Sequence, residues 1–252
     1  YPRVRLAPSL LPAIRGAYAK SSMALRLPMS GGFETFSNVK DIPMIARHAT
    51  RTKREVCKLL KLPADKPIVL LSFGDHGLPG LDTDVLSKFK KYTVVSAANL
   101  PVGRTRKAAP LVARKGAFVR VNEEAMYNVG VRYEDLVGAA DAVVTKPGFG
   151  IITECIANNT AMLYTSRGHF PEYDVLVEEM PKYLRTAFIG QDELFAGKWE
   201  TPLNKLLAKP KGKAKTYMKP DTNGAEVAAE LLLKALDKPP KKPRGRPRAK
   251  KA

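Results

Sequence analysis

Short, continuous apolar runs alternate with helix-forming segments through the middle of this chain. Residues 68–73 form one such run, bounded by Pro67 and Gly74. A continuous apolar run of about four to eight residues is typical of a strand buried on both faces. We therefore predict an α/β fold with a doubly wound, Rossmann-like parallel sheet of about five or six strands. The predicted strands are residues 68–73, 92–96, 117–121, 142–145, 161–165 and 186–189.

Residues 140–154 combine a short strand, a glycine turn and the start of a helix. Gly148 and Gly150 form the turn, and Glu154 lies about one turn into the helix. This order brings free backbone N–H groups and the positive end of a helix dipole to one spot, where a phosphate can bind. Glu154 could then reach a sugar hydroxyl attached to that phosphate. The pattern predicts a nucleotide or nucleotide-sugar site, although a plain strand-to-helix turn would use the same residues.

Doubly wound sheets bind their ligands beyond the carboxyl ends of the strands. A second glycine turn, residues 74–80, follows the strand at 68–73 and falls at that same predicted edge. The agreement between the two turns supports a ligand site there.

Composition limits the other classes of function. The two cysteines, Cys57 and Cys155, fall in helix-like segments and suggest free thiols in a reducing compartment, so we expect a cytoplasmic protein. The apolar runs are far too short to span a bilayer. With three histidines and no acidic cluster, we expect neither a metal nor a bound cofactor. Because the chain begins with Tyr1, we also expect that an upstream portion is missing.

The net charge of +19 is concentrated towards the end of the chain. Residues 238–252 carry lysines and arginines but no acid, and we predict that residues 237–252 are disordered. They include an AT-hook-like core, and an extended Arg-Gly-Arg can lie in a narrow A·T minor groove. Attraction to any polyanion or acidic membrane, and a passive solvated tail, remain alternatives. The candidate DNA-contacting residues are Arg244, Gly245, Arg246 and Pro247.

Eight stretches, found in order between roughly residues 24 and 235, together carry a family likeness. They are residues 41–47, 71–74, 133–141, 146–150, 154–157, 172–176, 196–199 and 222–228. With them the chain resembles the C-terminal half of the two-domain GT-B glycosyltransferases of the family 28 type. The likeness extends in particular to the glycosyltransferase-like region that precedes the kinase in plant L-arabinokinases, and to its stand-alone bacterial relatives.

The resemblance implies a division of the chain into four parts. Residues 1–40 would be a remnant of an acceptor-binding domain, and 41–66 a connector with the first helix. Residues 67–236 would be the donor-binding domain, and 237–252 the basic tail. This half would bind a nucleoside diphosphate sugar, by analogy a uridine-linked one. The acceptor and its catalytic base would belong to the other half, so the chain alone is expected to be inactive.

The resemblance also implies roles for individual residues. The glycine turn before Glu154 would bind the diphosphate, Glu154 the ribose, and Arg47 a phosphate. The glutamine that follows in peptidoglycan-type enzymes is absent here. No catalytic residue is implied. The implied donor-binding residues are Arg47, Gly74, Asp75, His76, Gly77, Lys146, Gly148, Phe149, Gly150, Ile151, Thr153, Glu154, Arg167, His169 and Glu172.

The sequence therefore predicts the donor-binding half of a glycosyltransferase. A nucleotide-sugar-binding module without catalysis is one alternative, and a nucleotide-sugar 2-epimerase is another. A DNA-associated protein that uses its AT-hook-like tail is the third.

Overall fold

The computed structural model describes residues 9–74, 78, 80–98, 110–208 and 216–236. The strands are β1 (Ala24–Arg26), β2 (Val39–Asp41), β3 (Ile68–Ser72), β4 (Thr93–Ala98), β5 (Val112–Lys115), β6 (Phe118–Asn122), β7 (Ala142–Thr145), β8 (Ala161–Tyr164) and β9 (Thr186–Phe188). The helices are α1 (Leu10–Tyr18), α2 (Lys53–Leu59), α3 (Thr83–Ser87), α4 (Glu123–Asn128), α5 (Tyr133–Ala139), α6 (Phe149–Ala157), α7 (Tyr173–Glu179), α8 (Gln191–Phe195), α9 (Glu200–Leu207) and α10 (Gly224–Leu236).

Seven strands form one sheet in the order β5-β6-β4-β3-β7-β8-β9. Counted along the chain, its six parallel strands lie in the order 3-2-1-4-5-6, which is the doubly wound arrangement. The α/β prediction is confirmed for these six strands. The prediction of a fully parallel sheet was wrong for the seventh strand, because β5 pairs antiparallel with β6. The tight turn between them at Gly116 has φ +56°, and such a short connection permits only antiparallel pairing.

Both faces of the sheet are covered by apolar side chains. Neighbouring residues of β3 point to opposite faces, so Leu70 joins one buried cluster and Val69 the other. In β7, Val143 and Val144 divide in the same way. This two-sided burial explains why the central strands are continuous apolar runs rather than alternating ones.

The segment that leads into α2 is fastened to the sheet domain by polar side chains. The Ala49 N–H donates to Asn158 Oδ1 at 2.7 Å. The Thr50 and Arg51 N–H groups donate to Asp135 Oδ1 at 2.6 and 3.0 Å. These bonds fix the backbone that carries Arg47 towards the carboxyl edge of the sheet.

Helix α10 begins against the same segment. The Gly224 N–H donates to the Met44 carbonyl at 2.9 Å, and the Met44 N–H donates to the Asp221 carbonyl at 3.0 Å. A Cβ at position 224 would lie 2.1 Å from the Pro43 carbonyl oxygen, so only glycine fits there.

Residues ahead of this segment form a small separate pairing. Strands β1 and β2 are parallel, and Arg26 Nε contacts Asp41 Oδ1 at 2.5 Å. Helix α1 buries none of its side chains. The division of the chain into four parts stays a prediction. No helix in the described ranges is long and apolar enough to cross a membrane.

Candidate functional site

A cavity of about 490 Å³ opens at the carboxyl edge of the sheet, beside the point where the strand order reverses. β3 is followed by β4 on one side and β7 by β8 on the other, and doubly wound sheets bind ligands where the connections separate in this way. The cavity is lined by Arg47, Leu71, Ser72, Phe73, Gly74, Leu78, Ser96, Ala97, Glu123, Tyr127, Tyr133, Gly150, Ile151 and Glu154.

Helix α6 presents an open N-terminus to one end of the cavity. Its N-cap, Gly148, provides no side-chain cap, and its first turn contains no acidic residue. A Cβ built on Gly150 would meet no heavy atom within 4 Å, so the space in front of this turn is free. The first N–H groups of a helix have no partner within the helix, and the dipole adds positive charge. This end of the cavity can therefore hold an anion.

Glu154 lies on the cavity wall and is bound by Arg47. Its Oε1 accepts from Arg47 Nε at 2.7 Å and also contacts Nη2, while Arg47 Nη1 lies 3.3 Å from Glu134 Oε2. Burial raises the pKa of Glu154, and the arginine only partly offsets this. One guanidinium thus contacts two nearly buried carboxyl groups.

Arg47 is itself held in place through its backbone. Asn158 Nδ2 donates to the Arg47 carbonyl at 3.1 Å, and Asn158 Oδ1 accepts from Ala49. Burial lowers the pKa of Arg47, but the hydrogen bond and charge of Glu154 outweigh it and the net pKa is raised. Arg47 is therefore a fixed cation whose charge is already shared with carboxylates.

The cavity lining also carries hydroxyl groups and a third carboxylate. The Tyr133 hydroxyl donates to Ser72 Oγ at 2.6 Å, and burial raises the pKa of Tyr133 to about 12. The Tyr127 hydroxyl donates to Glu123 Oε1 at 2.9 Å. These groups can form hydrogen bonds with the polar edge of a bound molecule.

Several predicted donor-binding residues lie outside the cavity lining. Arg167 is exposed beside the first turn of α6, where its Nη1 donates to the Pro147 carbonyl at 2.8 Å and its guanidinium covers the Phe170 ring at 3.8 Å. Its Nη1 would lie 2.7 Å from a Cβ at position 148, a contact that movement of the flexible arginine end can relieve. Three more predicted residues are exposed and lie outside the cavity lining: Lys146, His169 and Glu172.

Two further predicted residues point away from a ligand. The Thr153 hydroxyl donates to the Gly150 carbonyl at 3.0 Å, and its side chain is buried. Phe149 packs against the apolar cluster on one face of the sheet. Both shape α6 rather than line the cavity.

The structure brings five predicted residues together on the cavity wall: Arg47, Gly74, Gly150, Ile151 and Glu154. Gly74 has φ +73°, as a sharp turn after β3 requires. Asp75, His76 and Gly77 lie outside the described residues. The tail residues Arg244, Gly245, Arg246 and Pro247 also lie outside them.

Sequence reasoning missed the polar residues that β3, β4, α4 and α5 contribute to the cavity lining. Ser72 and Ser96 are polar residues at the ends of apolar strands, a signal that could have marked them. Glu123, Tyr127 and Tyr133 belong to helices whose position depends on the strand order. Within the described ranges no group of three His, Cys, Asp or Glu side chains could hold a metal ion.

Comparison with known proteins supports the resemblance seen in the motifs. The chain is 23% identical to L-arabinokinase from Arabidopsis thaliana over 218 residues, which cover 85% of this chain and 19% of that protein. The chain thus spans about a fifth of the length of this curated relative. No protein-family model matches the sequence.

Solved structures with a similar fold are glycosyltransferases by their names. The calicheamicin glycosyltransferase has a TM-score of 0.45 and 16% identity, with 80% of this chain and 50% of that chain covered. The spinosyn forosaminyltransferase has a TM-score of 0.46 and 11% identity, with 86% and 51% covered. The glycosyltransferase SnogD from Streptomyces nogalater has a TM-score of 0.43 and 17% identity, with 82% and 53% covered. Because these scores are below 0.5, the description of the fold depends on the chain's own sheet topology.

Proposed function

We propose that the cavity and the open end of α6 bind a nucleoside diphosphate sugar, and that the chain is the donor-binding half of a glycosyltransferase. One observation carries the proposal. The uncapped first turn of α6 and the nearly buried carboxylate of Glu154 face the same cavity at the switch point of the sheet. An anion site beside a carboxylate that can accept hydrogen bonds from hydroxyl groups suits a phosphorylated sugar.

In this proposal the diphosphate binds in front of Gly148 and Gly150, where the backbone N–H groups are open. Two exposed cations adjoin this turn and would approach the same charge: Lys146, two residues before Gly148, and Arg167, which donates to the Pro147 carbonyl. Glu154 accepts hydrogen bonds from the ribose hydroxyls. We assign Arg47 the task of orienting Glu154, because its guanidinium is bound to that carboxylate rather than free for a phosphate.

The chemical contribution of this half is electrostatic. When the sugar leaves its carrier, negative charge develops on the diphosphate. Fixed N–H dipoles at the α6 terminus would stabilise that charge without having to reorganise. The acceptor and the group that removes its proton would come from another part of the enzyme, as the family resemblance implies.

The proposal is tested with a Gly150→Ala variant of the 252-residue chain. No neighbouring atom blocks the added methyl group, and alanine favours a helix by up to about 1 kcal/mol, so the free protein should be at least as stable. The methyl group would occupy the space that the phosphate needs. We expect thermal shifts with nucleoside diphosphates in the wild type and much smaller ones in the variant.

Gly16→Ala in α1 is the matched control, because that glycine also has free space and lies far along the chain from the cavity. It should leave ligand shifts unchanged. Equal ligand binding by the Gly150 variant and the wild type would contradict the proposal. Product analysis with nucleotide sugars, on a protein that includes the acceptor-binding part, would then separate transfer from binding alone.

A further inference from the structure

The two ends of the cavity differ in chemistry, and this difference sets the direction of a bound nucleotide. Strand β3 lies between β7 and β4, so the α6 end and the β4 end are about 10 Å apart, or two strand spacings. If the phosphates bind at α6 and the ribose at Glu154, as the proposed function requires, the base extends towards β4 and α4. There it meets Ala97, Glu123 and Tyr127.

Glu123 is the charged group at that end. It is the first residue of α4, is half-buried, and accepts one hydrogen bond, from the Tyr127 hydroxyl. None of the ion pairs among the described residues includes Glu123. Because a carboxylate has two oxygens and about four acceptor positions, it retains capacity for further donors.

We propose that Glu123 selects guanine, so that the donor is a guanosine diphosphate sugar. Guanine presents a ring N–H and an adjacent amino group on one edge, and together they match the two oxygens of a carboxylate. Uracil offers one N–H between two carbonyl oxygens, which a carboxylate repels. Adenine places a ring acceptor next to its amino group. This inference rests on the proposed function and departs from the uridine-linked donor that the family resemblance implies.

The walls around Glu123 suit a flat base. Leu71, Phe73 and Ala97 supply apolar surface on the β3 and β4 side of the cavity. The nearest cation of the lining, Arg47, is bound by Glu154 and Glu134 and therefore does not neutralise Glu123. The N–H donors of a ligand are then the natural partners of this carboxylate.

Calorimetric titration of the 252-residue chain with GDP, UDP and ADP tests the inference. We expect GDP to bind at least about tenfold more tightly than UDP, the effect of one additional hydrogen bond to a charged group. Glu123→Gln should reduce GDP affinity about tenfold and should leave UDP affinity unreduced or raise it, because the amide no longer repels the uracil carbonyl oxygens. Glu124→Gln is the matched control, because Glu124 lies in the same first turn of α4 but is exposed and outside the cavity lining.

The outcomes separate the two proposals. Tighter binding of UDP than of GDP, or an unchanged preference in the Glu123 variant, would overturn the guanine assignment alone. Failure of all three nucleotides to bind the wild type would overturn both this assignment and the proposed function. Circular dichroism of the variants confirms that affinity is compared between folded proteins.

Discussion

Helices α5 and α6 both begin beside the cavity, but their first turns are completed in opposite ways. In α5, the fully buried Asp135 accepts from the Arg132 N–H at 2.9 Å. It also accepts from the N–H groups of Thr50 and Arg51, which lie in the segment that leads into α2. In α6, Gly148 offers no side chain, and no acid follows it in the first turn. The first turn of α5 thus carries a carboxylate that backbone N–H groups bind, and the first turn of α6 carries none.

The difference shows how to distinguish a structural carboxylate from a ligand-binding one. Burial alone does not distinguish them, because Asp135 and Glu154 are both buried. What differs is the partner. Asp135 accepts hydrogen bonds from backbone N–H groups, whereas Glu154 accepts them from one arginine side chain and lines a cavity. Four predictions test this contrast, in decreasing order of their expected effect on stability.

The largest effect is expected for Asp135→Ala. Three N–H groups would lose their carboxylate acceptor, and a hydrogen bond to a charged group contributes about 1.5–3 kcal/mol. We expect the free energy of unfolding to fall by about 3 kcal/mol or more in urea denaturation. Asp174→Ala, which removes an exposed acid from the first turn of α7, is the control and should change it by less than about 0.5 kcal/mol. A loss below about 1 kcal/mol for Asp135→Ala would contradict the structural role.

Gly148→Asp would give α6 the N-cap side chain that it lacks. The backbone at 148 has φ −152° and ψ 147°, which any residue can adopt, and only the end of the Arg167 side chain must move. A cap and its charge at the helix end should stabilise the free protein by about 0.5–1 kcal/mol. The same change should abolish nucleotide binding in thermal-shift titrations.

Gly148→Ala separates the charge from the added volume, because it introduces a Cβ without a carboxylate. It should weaken binding less than the aspartate does. If the Gly148→Asp variant bound nucleotides like the wild type, the open helix end would have no role in binding.

The two carboxylates should respond to pH with opposite signs. Burial would raise the pKa of Asp135, but its N–H donors outweigh burial and lower it, so its contribution is lost as the pH falls below the ordinary carboxyl range. Burial raises the pKa of Glu154, so its contribution is present at low pH and is lost as the pH rises through that range.

Urea denaturation between about pH 3 and pH 7 measures both contributions. The stability of Glu154→Gln relative to the wild type should increase with pH, and that of Asp135→Asn should decrease. If the relative stabilities of the two variants changed with pH in the same direction, the proposed difference between the two carboxylates would be contradicted.

The smallest change in stability is expected for Lys146→Ala. Lys146 is exposed and forms none of the ion pairs found in the described part of the chain, so the free energy of unfolding should stay within about 0.5 kcal/mol. Nucleotide binding should weaken and depend less on salt. Lys58→Ala, on the exposed side of α2, is the charge-matched control and should leave binding unchanged. Unaltered binding by the Lys146 variant would exclude Lys146 from the site.

The buried strands of the fold were predictable from sequence, and several short elements with few buried side chains were not. The six parallel strands are apolar runs whose burial is visible in the residues themselves. Strand β5 was missed because three of its four side chains are exposed, and α4 because Met126 is its one buried residue. Helix α8 and the pair β1 and β2, each of three to five residues, also gave no clear periodic signal.

The candidate site also has a part that could be predicted from sequence and a part that could not. The glycine turn of α6 is local in sequence, so its chemistry could be predicted. The contact of Arg47 with Glu154 joins residues 107 positions apart, and only the strand order brings them together. The missed wall with Tyr127 and Tyr133 depends on the same order.

The close approach of Gly224 to the Met44 segment makes the cavity vulnerable to a remote change. Met44 lies three residues before Arg47, and a side chain at position 224 would push directly against this backbone. A displaced backbone would carry the guanidinium away from Glu154. An inherited substitution of Gly224 would then cause a loss of ligand affinity, even though the altered residue never contacts the ligand.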